Sequence, residues 1–571
     1  MITMLLLFLA GLPAVLALVG GHCPPAGPVL PPPELSAGLN LSKLDSQLDN
    51  IVKGAFRSFN ATENSFSILL TSRNATVYQY HHTAAVRDPS GVKKVDGDTV
   101  YRLCSVTKLF NVLTVLLNAG DLLDTSITKY VPELAGVQVY EGITLRMLSS
   151  QVSGLPRSGD AFDLATTDAK SWEDAGFPVP SKGDMPPCDV IGGEVCSRAR
   201  MGATVQALPT FLLTLRTEFF ENLKNNQLIW LPGAKTAYSN QAYTLLGMAM
   251  QNITGKTFAQ LLQDSVTKPL DMPLTGFTTP DYSRGIIPNG AGKILWDQDM
   301  GNYNATAGLF STPNELGKFV RGIMNHKLLS AANTRQWMRP ASFAGSFSMS
   351  VGAPWEIFRV AHLTPDQRPI DIYTKSGSMP GWAAYLFFLP DYNVGGAIAV
   401  SGDDGDAASL ALLDIVAATV VPAVDSLARG QAKAAYTGQY GASSGDNKRM
   451  SGAAHLELVI DQGPGLKVKS WFNKGKSIIK AIADHKGVKP QEMDLRLYPV
   501  GENNRWQLSV ETLERRVDVA RKPSDACLNW FQTDSMRWAT LPVDEFDFEV
   551  TNGRVVAVRN LGLRANLSKI D

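Results

Sequence analysis

Cysteine, histidine and net charge are all scarce in this chain. Its 571 residues hold five cysteines and seven histidines, and Lys+Arg and Asp+Glu both stand at 53. Balanced charge leaves no long-range field to gather nucleic acid or anionic lipid, so a nucleic-acid partner is not expected. The cysteines, Cys23, Cys104, Cys188, Cys196 and Cys527, form no spacing with histidine that a zinc or iron–sulfur site would need. No zinc or iron–sulfur centre is therefore expected. The histidines fall outside every motif discussed below, which argues against a Ser-His-Asp triad, and His81-His82 reads as surface.

Basic residues are also missing from the N-terminus, "MITMLLLFLAGLPAVLALVGG", where the first formal charge is Glu34. The apolar run and the small residues near Ala17 suit a signal peptide over 1–20 and a secreted protein, despite the absent basic n-region. The alternative is an uncleaved membrane anchor, which Pro13 and the lack of flanking Lys/Arg weaken. Six N-x-S/T triplets, at Asn40, Asn60, Asn74, Asn252, Asn304 and Asn566, are candidate glycosylation sites. Cys188 and Cys196, eight apart in a Pro/Gly-rich stretch, are expected to pair as a disulfide. The odd count leaves a free thiol, and Cys104, beside an apolar helix, reads as buried.

What is present divides the chain. Residues 21–40 are Pro-rich and read as an extended linker. Residues 41–428 mix helical periodicity, at 105–119, 208–224, 240–251 and 313–325, with strand runs such as "FSILLTS", "AAYLFFLP" and "GGAIAVSG". Thr312, Pro313 and Glu315 spell a helix start with a capping box. This pattern predicts an α/β (α+β) fold whose antiparallel sheet draws on distant segments. From 429 to 571 the period changes to two, and Asn552-Gly553 between two alternating runs marks a hairpin, so an all-β C-terminal domain is expected.

The letters SVTK occur twice. Ser105 opens a helix whose apolar residues recur at helical spacing, and Lys108 lies one turn on, on the same face. A serine hydroxyl is a poor nucleophile until a neighbour takes its proton, and Lys108 is placed to do so. The second copy, Ser265 to Lys268, ends at Pro269, so it reads as a solvated helix end. Ser126 to Lys129 lies in a turn region and reads as inert too. Two further motifs follow the first copy in order. Tyr238-Ser239-Asn240 heads a helix, and Lys375-Ser376-Gly377 precedes a strand beside a cleft. Trp382 and Tyr385, just beyond, read as strand core.

S-x-x-K, Y-x-N and K-x-G in this order resemble the superfamily of class C β-lactamases and penicillin-binding proteins, which also holds esterases and acyltransferases. "QVSGLP", "LPGAKTAYSN" and "TAGLFSTPNELGKF" extend the resemblance over about residues 45–425. It implies a β-lactamase/transpeptidase-like antiparallel sheet flanked by helices, with an all-helical subdomain. The C-terminal domain resembles the lipocalin-like appendages of some members. The resemblance implies Ser105 as nucleophile, Lys108 and Tyr238 as shared general base and acid, and backbone N–H of Ser105 and Ser378 as oxyanion hole. Asn240 would position the acyl amide or Lys108. Lys375 would attract a substrate carboxylate or assist Tyr238, with Gly377 and Gln151 lining the substrate. Gln151 stands where relatives often have histidine and Ser376 where β-lactamases usually have threonine, and both departures weigh against antibiotic hydrolysis.

The expected activity is a secreted serine hydrolase acting on a small-molecule ester, amide or lactam. An acyltransferase of the same fold, serving small-molecule biosynthesis, and a non-catalytic scaffold are the alternatives. A membrane enters only if the N-terminal segment is uncleaved.

Overall fold

The computed structural model describes residues 22–54, 58–158, 164, 169–181, 208–441, 454–501, 504–512, 526, 527, 529–551 and 554–570. The segment read as a signal peptide and the pair Cys188 and Cys196 lie outside them. The chain forms two compact units. The larger comprises 35–360 and 370–423; the smaller takes described residues up to Glu34, 361–369 and those after Ala423.

The larger unit is built on one antiparallel sheet with strands β1 (Ser65–Thr71), β2 (Thr76–His82), β3 (Ser342–Phe343), β4 (Met349–Val351), β5 (Glu356–Val360), β6 (Ile370–Met379), β7 (Trp382–Leu389) and β8 (Val394–Ser401). Their spatial order is β2-β1-β8-β7-β6-β5-β4-β3. β1 thus pairs with β8 across more than half of the chain, Ile68 opposite Ile398, as the sequence pattern predicts. β1 and β8 are buried along their whole length, which is why both read as near-continuous apolar runs rather than alternating ones.

Helices α1 (Ser42–Val52), α2 (Thr107–Ala119), α3 (Leu208–Asn225), α4 (Asn240–Thr254), α5 (Pro313–Met324) and the long α6 (Gly405–Tyr436) complete the main elements. α2 is buried almost all round. Phe110 on α2 stacks on Phe319 of α5 with centroids 4.0 Å apart, and the core continues through Leu245 and Leu246 of α4. At the start of α5, Thr312 Oγ1 accepts from Glu315 N at 3.2 Å, so the cap forms. The second half of the predicted capping box does not. The Glu315 carboxylate accepts instead from Leu274 N at 2.8 Å and Thr275 Oγ1 at 2.6 Å, because these buried donors need an acceptor.

The smaller unit is a barrel of strands β9 (Gly438–Gly441), β10 (His455–Val459), β11 (Leu466–Asn473), β12 (Met493–Pro499), β13 (Arg505–Thr512), β14 (Glu545–Thr551), β15 (Arg554–Asn560) and β16 (Ala565–Lys569). Neighbours pair in the order β10-β9-β16-β15-β14-β13-β12-β11, and β11 returns to β10, closing the ring. Closure removes both free edges. Alternate residues point inward, so Leu456, Leu458, Leu495, Leu497, Phe546 and Phe548 fill the interior. The β14–β15 ladder forms on either side of the Asn-Gly turn signal. One helix, Ile478–Lys486, interrupts the expected all-β pattern.

Residues 22–34 are not a free linker. Val29 and Leu30 are buried in the barrel core, Cys23 N donates to Glu511 Oε2 at 2.7 Å, and Cys23 is disulfide-bonded to Cys527. Proline forbids helix and central strand here, but it does not forbid extended chain from packing its apolar side chains. Cys104 is free and buried, and burial pushes its thiol up to about 12. Asn40, Asn60, Asn74, Asn252 and Asn566 are exposed, whereas Asn304 is half-buried with its amide nitrogen on Asp299 Oδ1 at 2.8 Å. His81 is half-buried rather than surface, its Nδ1 2.9 Å from Ser67 Oγ.

Replacing Cys23 and Cys527 together with serine opens a closure spanning 504 residues. The expected loss is about 2–4 kcal/mol in barrel stability, read from the urea midpoint of the unit's transition. An unchanged midpoint would mean that Val29 and Leu30 alone hold the segment.

Candidate active site

Ser105 sits in a tight turn, Cys104–Val106, that runs straight into α2. The α-helix proper begins at Thr107, two residues later than the periodicity predicts, so Ser105 lies on the turn ahead of the helix. Three contacts fix this turn. Leu103 N donates to Leu309 O at 2.8 Å, Thr107 Oγ1 donates to Cys104 O at 2.6 Å, and Gly377 presses on it from β6. A Cβ at Gly377 would come within 2.2 Å of Leu103 O and 2.8 Å of Ser105 N. The glycine of K-x-G is therefore a matter of backbone approach. Cys104 holds φ at +50°, a left-handed conformation that costs a non-glycine residue roughly 1 kcal/mol and often accompanies functional turns.

Lys108, one turn into α2, is fully buried. Its Nζ donates to Ser105 Oγ at 2.8 Å and to Thr306 O at 3.1 Å. Burial first, then repulsion from Lys375, pulls its ammonium down to about 8 against the opposing pull of Tyr238. Tyr238 arrives from the turn ahead of α4, where Ser239 caps the helix by accepting from Ala242 N at 3.1 Å. Burial alone would raise its phenol. The ammoniums of Lys108 and Lys375 outweigh burial and hold it below the usual tyrosine value. Three cations lie against its ring: Lys108 Nζ at 5.1 Å, Lys375 Nζ at 5.2 Å and Arg157 Cζ at 5.1 Å from the centroid.

Lys375 lies inside strand β6 rather than ahead of a strand, and it is fully buried. Its Nζ donates to Glu356 Oε1 at 2.5 Å and to Ser376 O at 2.8 Å. Burial would lower this ammonium, but the Glu356 carboxylate and Tyr238 raise it above the ordinary lysine value. Glu356, on the neighbouring strand β5, was not legible in the sequence. Only the β5–β6 register, Glu356 opposite Thr374, brings it to the K-x-G motif. Local spacing carries no trace of that pairing.

Ser105, Lys108, Tyr238, Lys375 and Gly377 thus come together from three distant segments, and Ser378, itself exposed, follows Gly377 on β6. Two expected residues stand differently. Asn240 directs its amide at Ser158 Oγ, 2.8 Å away, and Lys108 takes the Thr306 carbonyl as its further partner. Gln151 has a structural task. It is 4% exposed and braces the Tyr238 turn, its Oε1 accepting from Ser239 N at 2.8 Å and its carbonyl from Ala237 N at 2.9 Å. Trp382 is core, stacked on Trp296 with centroids 5.3 Å apart.

The other S-x-x-K pairs are inert in geometry. Ser265 donates to Leu261 O at 2.5 Å and Ser126 caps a short turn; Lys268 and Lys129 are exposed. A surface cavity of about 540 Å³ borders Lys268, and it holds none of the motif residues Ser105, Tyr238 and Lys375.

A Gly377→Ala substitution is expected to force β6 off the Ser105 turn. It should destabilise the larger unit by roughly 1–3 kcal/mol in thermal unfolding and slow labelling of Ser105 by a phosphonate. Unchanged melting and labelling would show that the turn yields freely.

Residues 55–419 match the beta-lactamase family, and residues 428–571 match the family described as beta-lactamase-like-like, C-terminal domain. A "Beta-lactamase-like protein" of Arthroderma benhamiae is 31% identical, covering 95% of each chain. "Probable hydrolase M10" of a Phoma species is 25% identical over 97% of this chain and 93% of its own. The D-alanyl-D-alanine-carboxypeptidase/endopeptidase AmpH of Escherichia coli is 26% identical over 53% of this chain and 71% of its own.

Proposed function

The chain belongs to the beta-lactamase family, and from that premise we propose that it is a secreted serine hydrolase cleaving an ester, amide or lactam bond through an acyl-enzyme on Ser105. The observation that carries the reading is the buried Lys108 amine 2.8 Å from Ser105 Oγ, with the Tyr238 ring against the same amine, its centroid 5.1 Å away.

The step is a proton relay. As Ser105 Oγ attacks the carbonyl carbon, its proton passes to the Tyr238–Lys108 pair, which acts as one coupled base. The oxygen of the broken carbonyl double bond takes the negative charge. Backbone N–H groups of Ser105 and Ser378 would stabilise it, about 3–4 kcal/mol of barrier per donor. The pair then returns the proton to the leaving alcohol or amine. Water, activated by the same pair, attacks the acyl-enzyme and frees Ser105. Gln151 and Gly377 act here through the backbone they position, and Asn240 through Ser158. The named activity of the AmpH relative supports an amide among the bonds, while Gln151 and Ser376 point away from antibiotics. The substrate is a small molecule; no metal or cofactor enters these steps.

Secretion rests on the N-terminal run and the sequons. Expression in a eukaryotic secretory host should give a protein whose mass falls on endoglycosidase treatment, with sugar at the five exposed asparagines and not at Asn304. Sugar at none of them would count against secretion.

Treatment with a fluorophosphonate or a β-lactam should add one acyl or phosphonyl mass, located on the peptide containing Ser105. Ser105→Ala should cut aryl-ester turnover by more than about 10³-fold. Turnover surviving that change would place the nucleophile elsewhere.

A further inference from the structure

The Lys375 ammonium has three N–H donors. One goes to Glu356 Oε1 at 2.5 Å and one to Ser376 O at 2.8 Å, Ser376 Oγ lies at 3.5 Å, and the Tyr238 ring centroid is 5.2 Å away. Its short bonds are thus spent on the protein's own oxygens. The acceptor side is equally closed. Glu356 Oε2 accepts from Ser376 N at 2.8 Å, and Oε1 also accepts from Ser376 Oγ at 3.0 Å. The hydroxyl of K-S-G is thereby turned toward Glu356 as well. Lys375 is fully buried and the Glu356 side chain is 16% exposed, so the pair is a fixed, nearly desolvated ion pair, not a surface contact. Removing one partner of such a pair leaves the other charge uncompensated.

We infer that Glu356 is a specificity-determining residue: it converts Lys375 from an anchor for a substrate carboxylate into a positioning residue for Tyr238, so that the enzyme takes neutral acyl groups. The inference rests on acyl transfer through Ser105 and adds the substrate class. Three other groups face this pair's neighbourhood. Lys108 is occupied by Ser105 and Thr306. Tyr238 lies among the cations. Arg157, on an exposed side chain, is the remaining cation against the Tyr238 ring among the described residues, and its charge is solvated, which weakens any hold on an anion.

Two 4-nitrophenyl esters test this, the butyrate and the glutarate monoester with its free carboxylate. The wild-type enzyme should prefer the butyrate in kcat/KM. Glu356→Gln frees the Lys375 ammonium, and the ratio should move at least about tenfold toward the glutarate ester, the range of one charge contact. In the same variant the acidic limb of the pH profile should move to lower pH, because Lys108 and Tyr238 both lose a nearby negative charge. Glu356→Asp should keep the wild-type ratio. Lys375→Ala should lower kcat for both esters by the same factor and leave the glutarate KM alone. A wild-type preference for the glutarate ester overturns the inference. So does an unmoved ratio in a folded Glu356→Gln enzyme that still acylates, or a selective rise in glutarate KM in Lys375→Ala. Failure of either ester to acylate Ser105 in the wild type would instead remove the acyl-enzyme reading itself.

Discussion

A lysine amine with no access to water, hydrogen-bonded to a serine hydroxyl one helical turn away, is the interaction on which the rest of the site depends. An ammonium in that position is costly to desolvate, and the structure answers the cost in two ways. The Thr306 carbonyl and the Ser105 hydroxyl accept its hydrogen bonds, and its affinity for the proton falls to about 8. Each answer serves the chemistry. The first fixes the amine against the nucleophile, and the second makes a neutral amine available near physiological pH.

The second cation, Lys375, would make this arrangement untenable if it stood alone, since two buried ammoniums flank one phenol. Glu356 resolves the conflict. It holds Lys375 charged and in place, so that the phenol of Tyr238 feels a steady positive field while the local charge stays close to balance. The fold supports this with backbone rather than side chains: Gly377 lets β6 rest on the Ser105 turn, and Gln151 ties the Tyr238 turn through two hydrogen bonds. The serine, the amine and the phenol are thus presented by packed elements, and each depends on a contact made far along the chain.

Much of this was legible in sequence where the physics is local. Ser105 and Lys108 are three apart where the chain turns into a helix, Tyr238-Ser239-Asn240 heads another, and the alternating runs after residue 455 form the barrel strands. What escaped depends on long-range pairing. Glu356 joins Lys375 only through strand register. Cys23 finds Cys527 across 504 residues. Residues 22–34 read as linker because proline content reports forbidden conformations and says nothing of burial. β9, four residues long, and β16 were missed for lack of a window long enough to display a period. Glu315 completed a capping box on paper, but a buried turn at Leu274 and Thr275 claimed its carboxylate.

The central claim is that the Ser105 hydroxyl loses its proton to a pair whose lysine is depressed by burial. The rate of Ser105 phosphonylation as a function of pH measures it directly. The account predicts a rate that is full above about 8 and falls roughly tenfold per pH unit below, with Lys108→Arg abolishing the limb along with the activity. A rate that keeps climbing toward pH 10.5, as an ordinary solvated lysine would dictate, or one indifferent to pH between 6 and 9, would contradict it.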